Sequence, residues 1–268
     1  MDVPTVLPVV DRDDLPKEKP LHENLPKPPT LLLLVSPIKT GKSTIISNLL
    51  LNENFYGQDY FDEVKIISNT IHNDTTSRFL LKAFDCSDHY EDSMIDGIVN
   101  KQKAFKKEDQ PSMCVVLDDC LGSIRREAKV NHLASRFRHY NIKLFMISSQ
   151  NFRMVSPVIR QNATAVIIGS PFPNQKELLK VAEEYGDMFG GAENWLKIYK
   201  LACPERYRFL YMDLAENPAE AYACFEKKIA IGEKILVNDQ GIDVSDITEN
   251  KEKDLSKVDL NNSENNIK

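Results

Sequence analysis

The sequence predicts an α/β domain with a mostly parallel central sheet flanked by helices. Three observations predict it. Short apolar runs recur between residues 31 and 168, and each is continuous rather than alternating, as expected of strands buried on both faces. Longer segments of helical period separate several of them. After residue 190 the pattern changes to short alternations, which adds an antiparallel piece at the C-terminal end.

The elements follow in order. Residues 31–35 (LLLLV) read as the first buried strand and 42–51 as the helix after it. Residues 64–68 (VKIIS), 113–117 (MCVVL), 143–147 (KLFMI) and 165–168 (AVII) give four more strands. Residues 127–140 and 175–189 read as helices between or after strands. Residues 195–199 and 207–213 alternate and are expected to pair as a hairpin. Strands separated by helical segments place the sheet between two helical layers.

Domain limits come from composition. Residues 1–29 hold Pro4, Pro8, Pro16, Pro20, Pro26, Pro28 and Pro29, and read as an extended lead-in. Residues 236–268 are rich in Asp, Glu, Lys and Asn, with little to bury, and are expected to be disordered. Between them, residues 30–235 form one compact domain. A net charge of −6 argues against a passive, basic nucleic-acid coat, but leaves room for local basic loops. The five cysteines, Cys86, Cys114, Cys120, Cys203 and Cys224, contain no Cys-x-x-Cys pair and read as reduced thiols in a cytosol-like compartment. The N-terminus lacks a signal-peptide core. The apolar run at 31–35 falls far short of the about 20 residues a membrane span needs. A soluble, non-secreted protein without membrane insertion is expected.

The chemistry concentrates in a few motifs. Ser36, Pro37, Ile38, Lys39, Thr40, Gly41, Lys42, Ser43 and Thr44 fit the phosphate-binding pattern G-x-x-x-x-G-K-[ST] except at the first position, where Ser36 replaces glycine. A strand precedes the loop and a helix follows. That context lets backbone N–H groups and the helix N-terminus surround phosphate oxygens. Gly41 permits close backbone approach, Lys42 would reach the β- and γ-phosphates, and Ser43 would ligate Mg²⁺. Downstream, the buried run 113–117 ends in Asp118 and Asp119. Asp118 would hold Mg²⁺ through its water shell, and Asp119 would orient or deprotonate the attacking water. Asp119 also suits a loop start or a helix cap. Gln150 ends the strand at 143–147 with Ser148 and Ser149, and is placed either to sense the γ-phosphate or position the water, or to cap a turn. Arg136, Arg138 and Arg160 are each open to a role as an arginine finger or to an ordinary surface role.

Taken together, these motifs resemble a known family. The loop at 36–44, Val115–Asp119, the run 136–142 (RFRHYNI), Ser148-Ser149-Gln150 and Ile159-Arg160-Gln161-Asn162 occur in this order over residues 30–215. This is similar to the genome-packaging ATPases of large double-stranded DNA viruses and virophages, within the FtsK–HerA superfamily. The resemblance implies a RecA/ASCE-like P-loop NTPase that binds ATP and Mg²⁺ and pumps double-stranded DNA into a preformed capsid. It implies a homo-oligomeric ring with shared active sites, capsid or portal vertex partners, and action at assembly sites in the host cytoplasm. By motif position Asp119 takes the place of the catalytic acid and Gln150 that of the sensor. Arg138 is the first choice for the trans-acting finger and Arg160 the second. Basic stretches at Lys101–Lys107 and Arg125-Arg126 would contact a DNA backbone or serve as solvated faces. Two other classes stay open: a P-loop kinase acting on a small acceptor, and a non-enzymatic scaffold with a degenerate nucleotide site. The intact Lys42, Ser43 and Asp118 weigh against the second.

Overall fold

The computed structural model describes residues 22–72, 77–121, 128–172 and 174–230, which lie in one compact unit ending at Ala230. The first 21 residues of the lead-in, Arg125-Arg126, Glu127 and the tail at 236–268 lie outside them.

The described strands are β1 (Thr30–Val35), β2 (Glu63–Ser68), β3 (Asp85–Ser87), β4 (Met113–Asp118), β5 (Ile142–Ser149), β6 (Ala165–Gly169), β7 (Phe209–Asp213), β8 (Glu220–Ala223) and β9 (Lys227–Ile229). They form one sheet in the order β3-β2-β4-β5-β1-β6-β7-β8-β9. Neighbours from β3 to β6 pair in parallel, and those from β6 to β9 antiparallel. The helices are α1 (Lys42–Leu51), α2 (Arg78–Ala83), α3 (Asp92–Lys103), α4 (Lys129–Arg136), α5 (Pro157–Asn162), α6 (Gln175–Tyr185) and α7 (Ala192–Ala202).

The central strands carry unbroken apolar runs because both faces are covered. Leu31, Leu33 and Val35 of β1 enter one core with side chains of α3, α4, α6 and α7. Leu32 and Leu34 enter the other, with Ile46, Leu49 and Leu50 of α1 and Leu80 of α2. Local signals set the helix ends. Ser156 accepts a hydrogen bond from the Ile159 N–H, and Pro157 opens α5. α4 gives way to a 3-10 turn at Phe137–Tyr140, closed by Asn141 in the left-handed region.

The expected strands and mostly parallel sheet are present. The C-terminal antiparallel addition is also present, but its partners differ from those expected. Residues 195–199 do not form a strand; they lie in α7. Trp195, Ile198, Tyr199 and Ala202 are its buried residues, a spacing of three and four that marks a helix face. Residues 209–213 pair instead with β6 and β8. Residues 175–189 divide into α6 and a 3-10 turn at Gly186–Phe189. Packing also begins before residue 30. Leu25 is buried, Asn24 donates to the Phe225 carbonyl at 2.8 Å, and the Tyr56 hydroxyl donates to that of Pro26. All five cysteines are free thiols. Among the described residues no helix is long and apolar enough to cross a membrane.

Candidate active site

β1 delivers the chain into the loop at residues 36–41, and α1 leaves it at Lys42. The Ser36 N–H donates to the Ser149 carbonyl at 2.9 Å, so the loop hangs from β1 and β5 together. Lys39 has φ 60° and Gly41 φ 96°. Glycine meets that requirement at position 41 without a Cβ penalty, and the chain turns there into the N-terminus of α1.

Ser36, the departure from the usual glycine, is fitted on both sides. Its side chain is fully buried and hydrogen-bonds Thr40 Oγ1, which in turn donates to the Pro37 carbonyl at 2.6 Å. The room for it comes from Gly169 at the end of β6. A Cβ there would overlap Ser36 Oγ and stand 2.7 Å from its Cβ. The missing glycine of the loop has its counterpart in a glycine on the neighbouring strand. No spacing rule in the sequence links the two positions.

The acids stand at the carboxyl end of β4, and Gln150 follows the neighbouring end of β5. Lys42 Nζ donates to Asp119 Oδ2 at 2.7 Å, and Gln150 Nε2 donates to the same oxygen at 3.1 Å. Lys42 and Gln150 therefore converge on Asp119. Asp119 has φ 51°, and its carbonyl accepts from Asn69 Nδ2 at 3.3 Å. Asp118 is 5% exposed. One carboxylate oxygen accepts from Ser148 and the other from Ser68 at 2.9 Å. Burial, aided by the Asp119 charge, raises the Asp118 pKa above the ordinary carboxylate value, and the two hydroxyls oppose that rise. Ser68 and Ser148 escaped the sequence reading. Their signal was a hydroxyl at or near the end of each strand beside the acidic one.

The remaining candidates divide. Ser43 is half-buried in the first turn of α1, and Thr44 is exposed; the Thr44 carbonyl accepts from Asn48 Nδ2 at 2.9 Å. Arg136 and Arg138 are exposed and precede β5, at the far end of the sheet from Gln150. β5 is 8 residues long, roughly 25 Å of strand. Arg138 is thus outside the reach of its own chain's site. Arg160 pairs with Glu184 at 2.9 Å and lies 4.9 Å from the Phe152 ring centroid, so its guanidinium is engaged within its own domain. Of the basic stretch at 101–107, Lys101 pairs with Glu63 at 2.7 Å and Lys103 faces the Tyr140 ring at 5.8 Å.

The donor set fits Mg²⁺, a hard ion held by one or two carboxylates together with substrate phosphates. Ser43 would supply a hydroxyl and Asp118 a carboxylate; both are oxygen donors. The ion, when bound, would neutralise charge on the phosphates. Among the described residues no group of three or more His, Cys, Asp or Glu is placed to hold a metal, and a site completed by phosphate needs none.

Fold and site together define a P-loop nucleoside triphosphatase architecture. The same fold is found in the genome packaging NTPase B204 from Sulfolobus turreted icosahedral virus 2, solved in complex with ATP-gammaS. The two share 15% identity over 72% of this chain and 95% of that one, with a TM-score of 0.51. The DNA-packaging ATPase B204 from Sulfolobus turreted icosahedral virus is similar at 16% identity, over 73% of this chain and 98% of that one, with a TM-score of 0.52. At such identities the likeness is one of fold. No family model matches the chain, and no curated protein matches it.

Proposed function

We propose that the protein is a Mg²⁺-dependent ATPase that drives double-stranded viral DNA into a preformed capsid, as a homo-oligomeric ring of the FtsK–HerA type. The observation that carries the reading is the convergence of Lys42 and Gln150 on Asp119 beside the buried Asp118, on a fold shared with a packaging NTPase.

The chain's own residues divide the work. The loop from Ser36 to Gly41 and the first turn of α1 bind the phosphates through backbone N–H groups. A γ-phosphate drawn to Lys42 competes with Asp119 for the ammonium, which turns the Asp119 carboxylate toward a water as general base. Gln150, released from the same oxygen, orients that water. Ser68 and Ser148 keep Asp118 fixed and ready to hold the metal. Arg138 acts on a neighbour's site in the ring, since its own is out of reach; Arg160 is the second choice. Exposed basic side chains would contact the DNA backbone, the partners are capsid or portal vertex proteins, and the place of action is the host cytoplasm.

The test is ATP hydrolysis with and without double-stranded DNA across salt concentrations. Stimulation by DNA that fades as salt rises is expected, because phosphate contacts release counterions. Hydrolysis indifferent to DNA would remove the translocation reading. For the finger, Arg138→Ala should lose activity only as an assembly. Mixing it with Asp119→Asn should restore part of the activity if sites are shared.

A further inference from the structure

The turn between α7 and β7 reaches across to the phosphate loop. Arg206 Nη2 donates to the Lys39 carbonyl at 3.0 Å. The Tyr207 N–H donates to the Ser170 carbonyl at 3.3 Å, just past the end of β6. A Cβ at Gly41 would lie 3.7 Å from Tyr207 Cδ1, so the ring borders the loop. Tyr207 has φ 67°, an unusual conformation for an aromatic residue that surrounding structure must hold in place. The Arg206 guanidinium lies 5.0 Å from its ring centroid, yet Tyr207 remains 61% exposed. A large aromatic ring is thus held at the mouth of the site and only partly covered.

Direction identifies what it would meet. The reacting end of the site, Asp118, Asp119 and Gln150, belongs to β4 and β5, on one side of β1 in the sheet. Arg206 and Tyr207 belong to the other side, beside β6 and β7. A triphosphate whose terminal group faces the acids must extend its nucleoside toward this side. The geometry points to Tyr207, backed by Arg206, as the surface on which the nucleobase stacks. The inference rests on the nucleotide reading above and adds the base subsite to it. An aromatic face accepts any base, so Tyr207 favours a nucleoside triphosphate over bare polyphosphate more than it favours adenine over guanine.

The experiment is calorimetric titration of the full chain with a non-hydrolysable ATP analogue and, separately, with inorganic tripolyphosphate. Tyr207→Ala should weaken the nucleotide on the order of 10-fold and leave tripolyphosphate unchanged. Tyr207→Phe should keep both affinities. Tyr207→Asn should behave like the alanine variant while accepting the positive φ. Equal weakening of both ligands would make Tyr207 a brace for the loop and overturn the base subsite, as would an unchanged nucleotide affinity. Unaltered protein that binds neither ligand would overturn the nucleotide reading itself. Unaltered protein that binds both equally would leave that reading standing and remove only the base subsite.

Discussion

The parallel part of the sheet, β3 to β6, and its antiparallel extension, β6 to β9, meet at one shared strand. They do different work. On the proposed reading, the parallel part supplies the groups at the reacting end: Lys42 after β1, Asp118 and Asp119 at β4, Gln150 after β5. The extension supplies none of these. It packs α7 against the sheet through Trp195, which stacks on Tyr199 with centroids 5.7 Å apart and donates its indole N–H to Met212 of β7. It also sends Arg206 and Tyr207 to the rim of the loop. In that reading, chemistry and support sit on opposite sides of β6.

Substitutions should separate the two roles. The largest effects on turnover belong to the parallel part. Asp119→Asn should cut hydrolysis by about 100-fold or more while keeping nucleotide affinity, since Lys42 then loses a competitor for phosphate. Parental turnover in that variant would remove the general-base assignment. Lys42→Ala should weaken ATP about 100-fold, the loss of a charge-assisted contact, as read by equilibrium binding. In the extension, Trp195→Ala should cost about 4 kcal/mol of stability, seen by denaturant unfolding, with near-normal turnover in the protein that stays folded. Lost turnover at unchanged stability would show that the division is false.

How far each part was legible in the sequence follows the same line. The runs at 31–35 and 113–117 are apolar without interruption because helices cover both faces of the sheet, so they read as strands without ambiguity. The phosphate loop and the acidic pair are each short runs in the sequence at the end of an apolar strand, so Lys42, Asp119 and Gln150 could be singled out from local pattern. In the extension, residues 195–199 carry apolar side chains that satisfy two periods at once over so short a span. Only Ala202, one turn further on, settles the helix. Ser68 and Gly169 were missed for another reason. Their roles are defined by strands that become neighbours only in the folded sheet.

A smaller effect tests the seam between the parts. Gly169→Ala should push Ser36 out of its place and weaken nucleotide binding roughly 10-fold, a strain cost of the kind seen on overpacking. Adding Ser36→Gly should restore most of it. Failure of that rescue would mean the glycine serves β6 and not the loop.

The smallest effect on stability concerns Asp118. Its folded pKa is raised by burial, so its ionisation is easier in the unfolded chain. Its contribution to stability is fully present below the unfolded value and is lost as pH rises through the folded one. Asp118→Asn should therefore raise the Tm of the ligand-free protein near neutral pH, with the gain vanishing in acid, while hydrolysis is lost. A pH-independent Tm difference would contradict the buried-charge account.

The contact between Ser36 and Gly169 also constrains the route by which such a loop can arise. A serine at 36 has room only where 169 already lacks a side chain. From an ancestor with glycine at 36 and a larger residue at 169, the change at 169 must come first. Once serine is installed, the step back at 169 is closed until 36 reverts. The two positions can therefore change in only one order, 169 before 36 on the way in and 36 before 169 on the way back.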